Sequence, residues 1–241
     1  MKSYKARGIV LNTVKYGDSS MVVQLLTDVG GRRSFMVQGI RSSRGHGSKA
    51  ALFQPMFAVE FEGMESSRME LHRFREVRSG IVLQTLPFDV RKSTVALFMA
   101  EVLYRLVKES EPNEPLFSFV WGSVEALDSL EEGVANFHLW FLANLSRFLG
   151  FSPGNGYRDG ALFDMREGHF TNVRPLHGQV MEAQDAEIFR DLLECDVRFL
   201  GEIGLNRNQR VGFLDAMMTY YGYHLESVRS VRSIKILREV F

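Results

Sequence analysis

Met21-Val22-Val23-Gln24-Leu25-Leu26-Thr27-Asp28-Val29-Gly30-Gly31-Arg32-Arg33-Ser34-Phe35-Met36-Val37-Gln38 reads as two strands joined at a glycine pair. That reading decides the fold of the first third of the chain. Met21 to Leu26 is a short, nearly continuous apolar run, suited to a strand buried on both faces. Gly30-Gly31 supplies the turn, and Phe35 and Val37 share one face of the strand from Arg32 to Gln38. Upstream, Tyr4 to Tyr16 is extended in character around Ile9-Val10-Leu11, and Gly8 inside it predicts a bulge or sharp bend. Downstream, Phe57, Val59 and Phe61 alternate with Ala58, Glu60 and Glu62, the clearest period of two in the chain. A last strand is expected near Met69 to Phe74. Five short strands with glycine-rich connections predict a small closed or partly closed barrel.

From about Leu86 the pattern becomes helical. Asp89 is placed to cap a helix whose apolar stripe is Val95, Phe98, Met99, Val102, Leu103 and Leu106. Pro115 suits the first turn of the next helix, which runs through Leu116, Val120, Val124 and Leu127. A third buries Phe137, Trp140, Phe141, Leu145 and Phe148, with Gly150 placed to end it. Residues 151–179 are irregular, with a hairpin through Glu167-Gly168, and further helices are expected around Ala186–Glu194, Asn208–Leu225 and Val231–Val240. The organisation is α+β, a barrel over residues 1–80 followed by a helical domain over 81–241 with an irregular insertion near 151–179.

Charge divides along the same boundary. The chain is neutral overall, but residues 1–80 carry 13 Lys and Arg against 7 Asp and Glu, a net of +6, and residues 81–241 carry 16 against 22, a net of −6. A basic module joined to an acidic one suggests an anionic partner for the first and a separate contact for the second. The cations concentrate in Gly39-Ile40-Arg41-Ser42-Ser43-Arg44-Gly45-His46-Gly47-Ser48-Lys49, a composition that builds no core but lays charge along a phosphodiester backbone. The candidate DNA-binding residues are Arg32, Arg33, Arg41, Arg44 and Lys49, with a second cluster at Arg68, Arg73, Arg75 and Arg78. Phe35, Phe53 and Phe74 are candidates to stack on bases, though an aromatic on a strand more often belongs to the core.

Other chemistry finds little support. Cys195 is the only cysteine, so no intrachain disulfide forms, and no window approaches the ~18 uncharged apolar residues of a membrane span. A cytoplasmic protein is expected. His169, His177 and Cys195 are scattered rather than spaced as zinc ligands, so neither metal nor cofactor is expected. Gly45 to Lys49 lacks the spacing of a phosphate loop, and no nucleophile elbow or local Cys/His pair is present. No catalytic site is read.

Taken together and in order, Ala6-Arg7-Gly8-Ile9-Val10-Leu11, Tyr16-Gly17-Asp18-Ser19-Ser20-Met21-Val22-Val23, Gly30-Gly31-Arg32, Val37-Gln38-Gly39-Ile40-Arg41-Ser42-Ser43 and Leu52-Phe53-Gln54-Pro55-Met56 resemble the RecO family of DNA repair proteins. The helical part matches more in layout, at Phe148-Leu149-Gly150-Phe151, Tyr220-Tyr221 before His224-Leu225, and Ser233 to Leu237. The resemblance implies an OB-fold barrel, a helical C-terminal domain and a non-enzymatic role in recombinational repair. It implies binding of single- and double-stranded DNA, annealing of complementary strands and, with RecR, loading of RecA onto DNA coated by single-strand-binding protein. Many relatives carry four zinc-binding cysteines where this chain has none, so a zinc-free member is expected, its irregular segment held by hydrogen bonds and by packing of Phe163, Phe170 and Leu176.

Two other readings stay open: a general OB-fold binder of single-stranded nucleic acid, and an adaptor that docks acidic peptides. The acidic C-terminal tail of single-strand-binding protein would suit a helical groove with an apolar floor and basic rim. Phe137, Trp140, Phe141 and Phe148 are floor candidates, and Arg91, Lys92 and Arg147 rim candidates.

Overall fold

The computed structural model describes residues 3–39, 49–64, 71–154 and 156–241. Five strands, β1 (Ser3–Tyr16), β2 (Ser20–Thr27), β3 (Gly31–Gln38), β4 (Ala58–Met64) and β5 (Leu71–Ser79), close into a barrel in the order β1-β2-β3-β5-β4. Among the described residues, β3 and β5 close the barrel by parallel pairing from Ser34–Leu71 to Met36–Arg73. The last strand runs to Ser79, well beyond the expected end near Phe74, because antiparallel pairing with β4 carries it as far as Val59–Ser79.

Alternation on β1 builds two cores at once. Ala6 and Val10 point into the barrel with Val23, Leu25, Phe35, Val37, Phe53, Val59 and Phe61. Ile9 and Leu11 point outward and join Leu26 and Met56 in the core of the helical body. The register slip lies between Val10 and Asn12, not at Gly8. Gly8 has a packing role instead: a Cβ there would stand 2.9 Å from Leu25 Cδ1 and 3.2 Å from Phe61 Cε1. Where the barrel meets the helical body, Gly31 adopts φ 54°, and a Cβ there would fall on the carbonyls of Glu109 and Glu111. The neighbouring Arg32 N–H donates to the Glu109 carbonyl at 2.9 Å.

The helical body comprises α1 (Val90–Leu106), α2 (Glu114–Ser129), α3 (Val134–Leu145), α4 (Ala183–Glu194), α5 (Arg207–His224) and α6 (Ile234–Val240), with short 3-10 turns between them. Asp89 caps α1, accepting from the Arg91 and Lys92 N–H groups, and Asn113 caps α2 with Pro115 in its first turn. The chain leaving the barrel is pinned by Asp128, whose carboxylate accepts from the N–H groups of Gln84, Thr85 and Leu86. Lys92 is buried beside it and donates to Thr85 Oγ1 and the Asp128 carbonyl, both at 2.7 Å. Burial pushes the Asp128 carboxyl up, but the three N–H donors and Lys92 prevail and hold it below its ordinary value.

The irregular segment is a small sheet of β6 (Leu162–Asp164), β7 (His169–Thr171) and β8 (Val180–Met181), in the order β7-β6-β8. Its hairpin turns at Glu167-Gly168, where Gly168 has φ 70°; β8 was not expected from the sequence. Phe163 packs edge-on against Phe170, Phe189 and Tyr220, while Leu176 is fully exposed and holds nothing. Asp164 closes the turn by accepting from the Arg166 and Glu167 N–H groups, and its other oxygen lies 3.1 Å from His177 Nε2. The expected tyrosine pair fastens this segment: Tyr220 Oη donates to the Phe151 carbonyl at 2.6 Å and Tyr221 Oη to the Leu142 carbonyl at 2.7 Å.

Candidate nucleic-acid interface

The outer surface of the barrel has two exposed sides of opposite character. On the first, the ladder pairings align three rows of outward residues: Asn12–Gln24–Ser34–Leu71, Val14–Val22–Met36–Arg73, and Tyr16–Ser20–Gln38. The slip after Val10 sets this up, because the extra residue Leu11 goes to the body core while Asn12, Val14 and Tyr16 turn to the open side. Val14 is 51% exposed and Tyr16 63%, although both are large and apolar in body. The polar members are amides and hydroxyls, with Asn12 donating to Gln24 at 2.8 Å, and the one charge is the exposed Arg73. No carboxylate stands in these rows.

The second side belongs to β4 and β5. Glu62 pairs with Arg75 at 2.9 Å and Glu60 with Arg78 at 2.6 Å, and at the barrel's edge Arg7 pairs with Asp28 at 3.2 Å. Between the two sides, where β5 beyond Arg73 has no partner in β3, opens a groove of about 920 Å³. Met36, Gln38 and Arg73 line one edge, and Arg75, Arg78, Glu60 and Glu62 the other.

The candidate cations divide accordingly. Arg73 and Arg75 reach the groove. Arg32 turns to the helical body, donating to the Tyr104 carbonyl at 2.8 Å with its guanidinium over the Tyr104 ring. Arg33 folds over Tyr4 and donates to its hydroxyl and to the Gly30 carbonyl. Both are held by structural partners. Arg41, Arg44 and Arg68 lie outside the described residues; Lys49 begins a short 3-10 helix, Lys49–Leu52.

The candidate stacking residues are corrected. Phe35 and Phe53 are buried and stack on Phe74, at 4.5 and 5.6 Å, so these rings spend their faces inside the barrel. Tyr16 is the exposed aromatic that the sequence reading missed. Its signal was available: the apolar alternation of β1 runs on through Val14 and Tyr16 to the Gly17-Asp18 turn, past the point where any layer covers it.

In the helical body the candidate floor and rim divide: Trp140 and Phe148 are half-buried, and Arg91 and Arg147 are exposed. Phe137 and Phe141 are completely buried, so they floor no groove, and Lys92 is an internal cation rather than a rim. His138 is enclosed, with Phe241 stacked on it, and burial, aided by Arg210, pulls its pKa down to about 3. Among the described residues no three His, Cys, Asp or Glu side chains converge as metal ligands would, and no helix is long and apolar enough to cross a membrane.

A closed five-stranded barrel with an open face, set on a helical body, defines an OB-like module of the kind that handles nucleic acid. Residues 1–80 match the family model for the recombination protein O N terminal, and residues 87–232 the model for its C terminal. The chain is 38% identical to the DNA repair protein RecO of Phocaeicola vulgatus and to that of Bacteroides fragilis, with 98% of each chain covered. It is 31% identical to the protein of that name from Flavobacterium psychrophilum, again over 98% of each chain. The chain belongs to the RecO family of DNA repair proteins.

Proposed function

We propose that this protein is a non-catalytic recombination mediator that acts in the cytoplasm at the nucleoid. It binds single- and double-stranded DNA, anneals complementary strands and, with RecR, helps load RecA onto DNA covered by single-strand-binding protein. The carrying observation is the set of rows with Tyr16, Val14, Met36 and Arg73, which hold no carboxylate among the described residues and end at Gln38, just before the basic stretch of the sequence. Unpaired bases lie against Tyr16 and the apolar row, where a stacked base is worth roughly 1–3 kcal/mol, and Arg73 with the loop cations Arg41, Arg44 and Lys49 takes the phosphates.

The tail of single-strand-binding protein is assigned to a cleft of about 540 Å³ between β1, α1 and α6. Leu97, Ala100 and Ile236 supply its apolar lining and Arg105 and Arg232 its cations, with Glu101 between them, pairing with Arg105 at 3.7 Å and accepting from the Arg232 N–H. That cleft replaces the floor of Phe137 and Phe141.

Strand annealing tests the reading, run with and without single-strand-binding protein across salt concentrations. The intact protein should speed pairing of complementary strands, and Tyr16→Ala with Arg73→Ala should slow it. A protein that only coats single strands would hinder pairing and overturn the proposal.

A further inference from the structure

We infer that Glu60 and Glu62 are specificity-determining residues that bar DNA phosphates from the β4–β5 side of the barrel and so favour unpaired strands over duplex. This rests on the DNA-binding reading above and assigns a role to the residues that oppose it.

The groove carries five cations, Lys5, Arg7, Arg73, Arg75 and Arg78, which by number alone would form a continuous phosphate track. Four carboxylates, Asp28, Glu60, Glu62 and Glu76, break it: Asp28 holds Arg7 at 3.2 Å at the end of the groove, and Glu60 and Glu62 stand along β4 within it. Register places Glu60 between Arg7 and Arg78, and Glu62 between Lys5 and Glu76 with Arg75 reaching it at 2.9 Å, so carboxylates interrupt the cations along this side. Arg75 and Arg78 are thereby occupied, although their side chains are 62% and 80% exposed and free to exchange partners. A phosphate entering this side must displace a carboxylate and then sit beside it, and like charges so placed repel.

A single strand loses little by this, because it can lay its bases on the apolar row of Val14, Val22 and Met36 that ends at Arg73. A duplex hides its bases in the stack and offers mainly phosphates, so it depends on an unbroken cation track. The acid row therefore costs duplex more than single strand. Sequence reading counted the arginines of β5 as binding residues without seeing that β4 places an acid beside two of them.

The test compares the full-length protein with Glu60→Gln/Glu62→Gln, which keeps size and hydrogen bonding while removing two charges. Fluorescence anisotropy is read with an unstructured single strand and with a blunt hairpin duplex, between about 50 and 200 mM salt. The variant should bind both more tightly, with duplex gaining at least threefold more than single strand. The slope of log affinity against log salt should steepen by about 1.4 for single strand, two further phosphate contacts at about 0.7 each. Unchanged slopes and an unchanged preference would overturn the inference. Tyr16→Ala/Arg73→Ala is measured beside it: a loss of single-strand affinity there, with no effect of the glutamine pair, leaves the binding reading standing and removes only the acid barrier. No effect of either variant removes both.

Discussion

Charges in the barrel and charges in the helical body obey different rules. On the barrel, Arg75 and Arg78 meet their glutamates in water, where such pairs are worth about 0–1 kcal/mol and exchange readily. In the body, Lys92 and Asp128 are 4% and 8% exposed and enclosed by one another and by the backbone of Gln84 to Leu86. There the carboxylate cannot be lost without leaving the N–H groups of Gln84, Thr85 and Leu86 unpaired and the buried Lys92 without the negative charge that favours its ammonium. A cation is therefore a binding group or a structural one according to how much water reaches it, and side-chain type does not tell the two apart.

The sharpest way to break that contrast is to separate the regions. Ile9, Leu11, Leu26 and Met56 are barrel residues buried in the body core, and exposing four such side chains forfeits about 6 kcal/mol or more. Residues 1–80 expressed alone should be unfolded or self-associated by circular dichroism and sedimentation; a monomeric, cooperatively melting fragment would show the barrel core to be sufficient. Next in size, Asp128→Ala should destabilise the whole chain by about 3–5 kcal/mol in urea while leaving the salt slope of DNA binding in the folded protein intact. The pH dependence has a defined sign. The Asp128 carboxyl is lowered by folding, so its contribution is complete above the unfolded value near 3.9 and is lost as pH falls through the lower folded value. In Asp128→Ala that part of the acid sensitivity should disappear from a melting series taken between about pH 5 and 2.

Gly31→Ala should cost about 2 kcal/mol or more, since both the positive φ and the carbonyls of Glu109 and Glu111 oppose a Cβ. Neutralising Arg41, Arg44 and Lys49 together is the complementary change. It should flatten the single-strand salt slope by about 2 and leave the urea midpoint where it was. An altered midpoint would make those cations structural, as Arg32 is. The smallest expected effect is none: chelators should not shift the melting curve, and elemental analysis should find no stoichiometric zinc. One tightly held equivalent would assign the segment around Asp164 and His177 to a metal after all.

Much of the fold was legible because local rules wrote it. The period of two in Phe57 to Glu62, the glycine turn before Arg32, the cap at Asp89 and Pro115 in the first turn of α2 act within a few residues of themselves. The site was legible only in part. Arg32 and Arg33 look like surface cations until α1 and Tyr4 are placed against them. Phe74 looks like a stacking residue until Phe35 and Phe53 arrive from other strands. Leu176 looks like packing and meets nothing.

The sequence by itself determined the five strands, the helical body and the family, since periodicity, turn chemistry and an ordered set of motifs are properties of the chain read one stretch at a time. Tertiary structure alone decided which cations are held by partners, which aromatics keep a free face and which side of the barrel carries the acids. Those are properties of neighbours brought together from distant positions, Glu60 beside Arg78 and Val14 in line with Met36 and Arg73, and pairing across strands is what sets them.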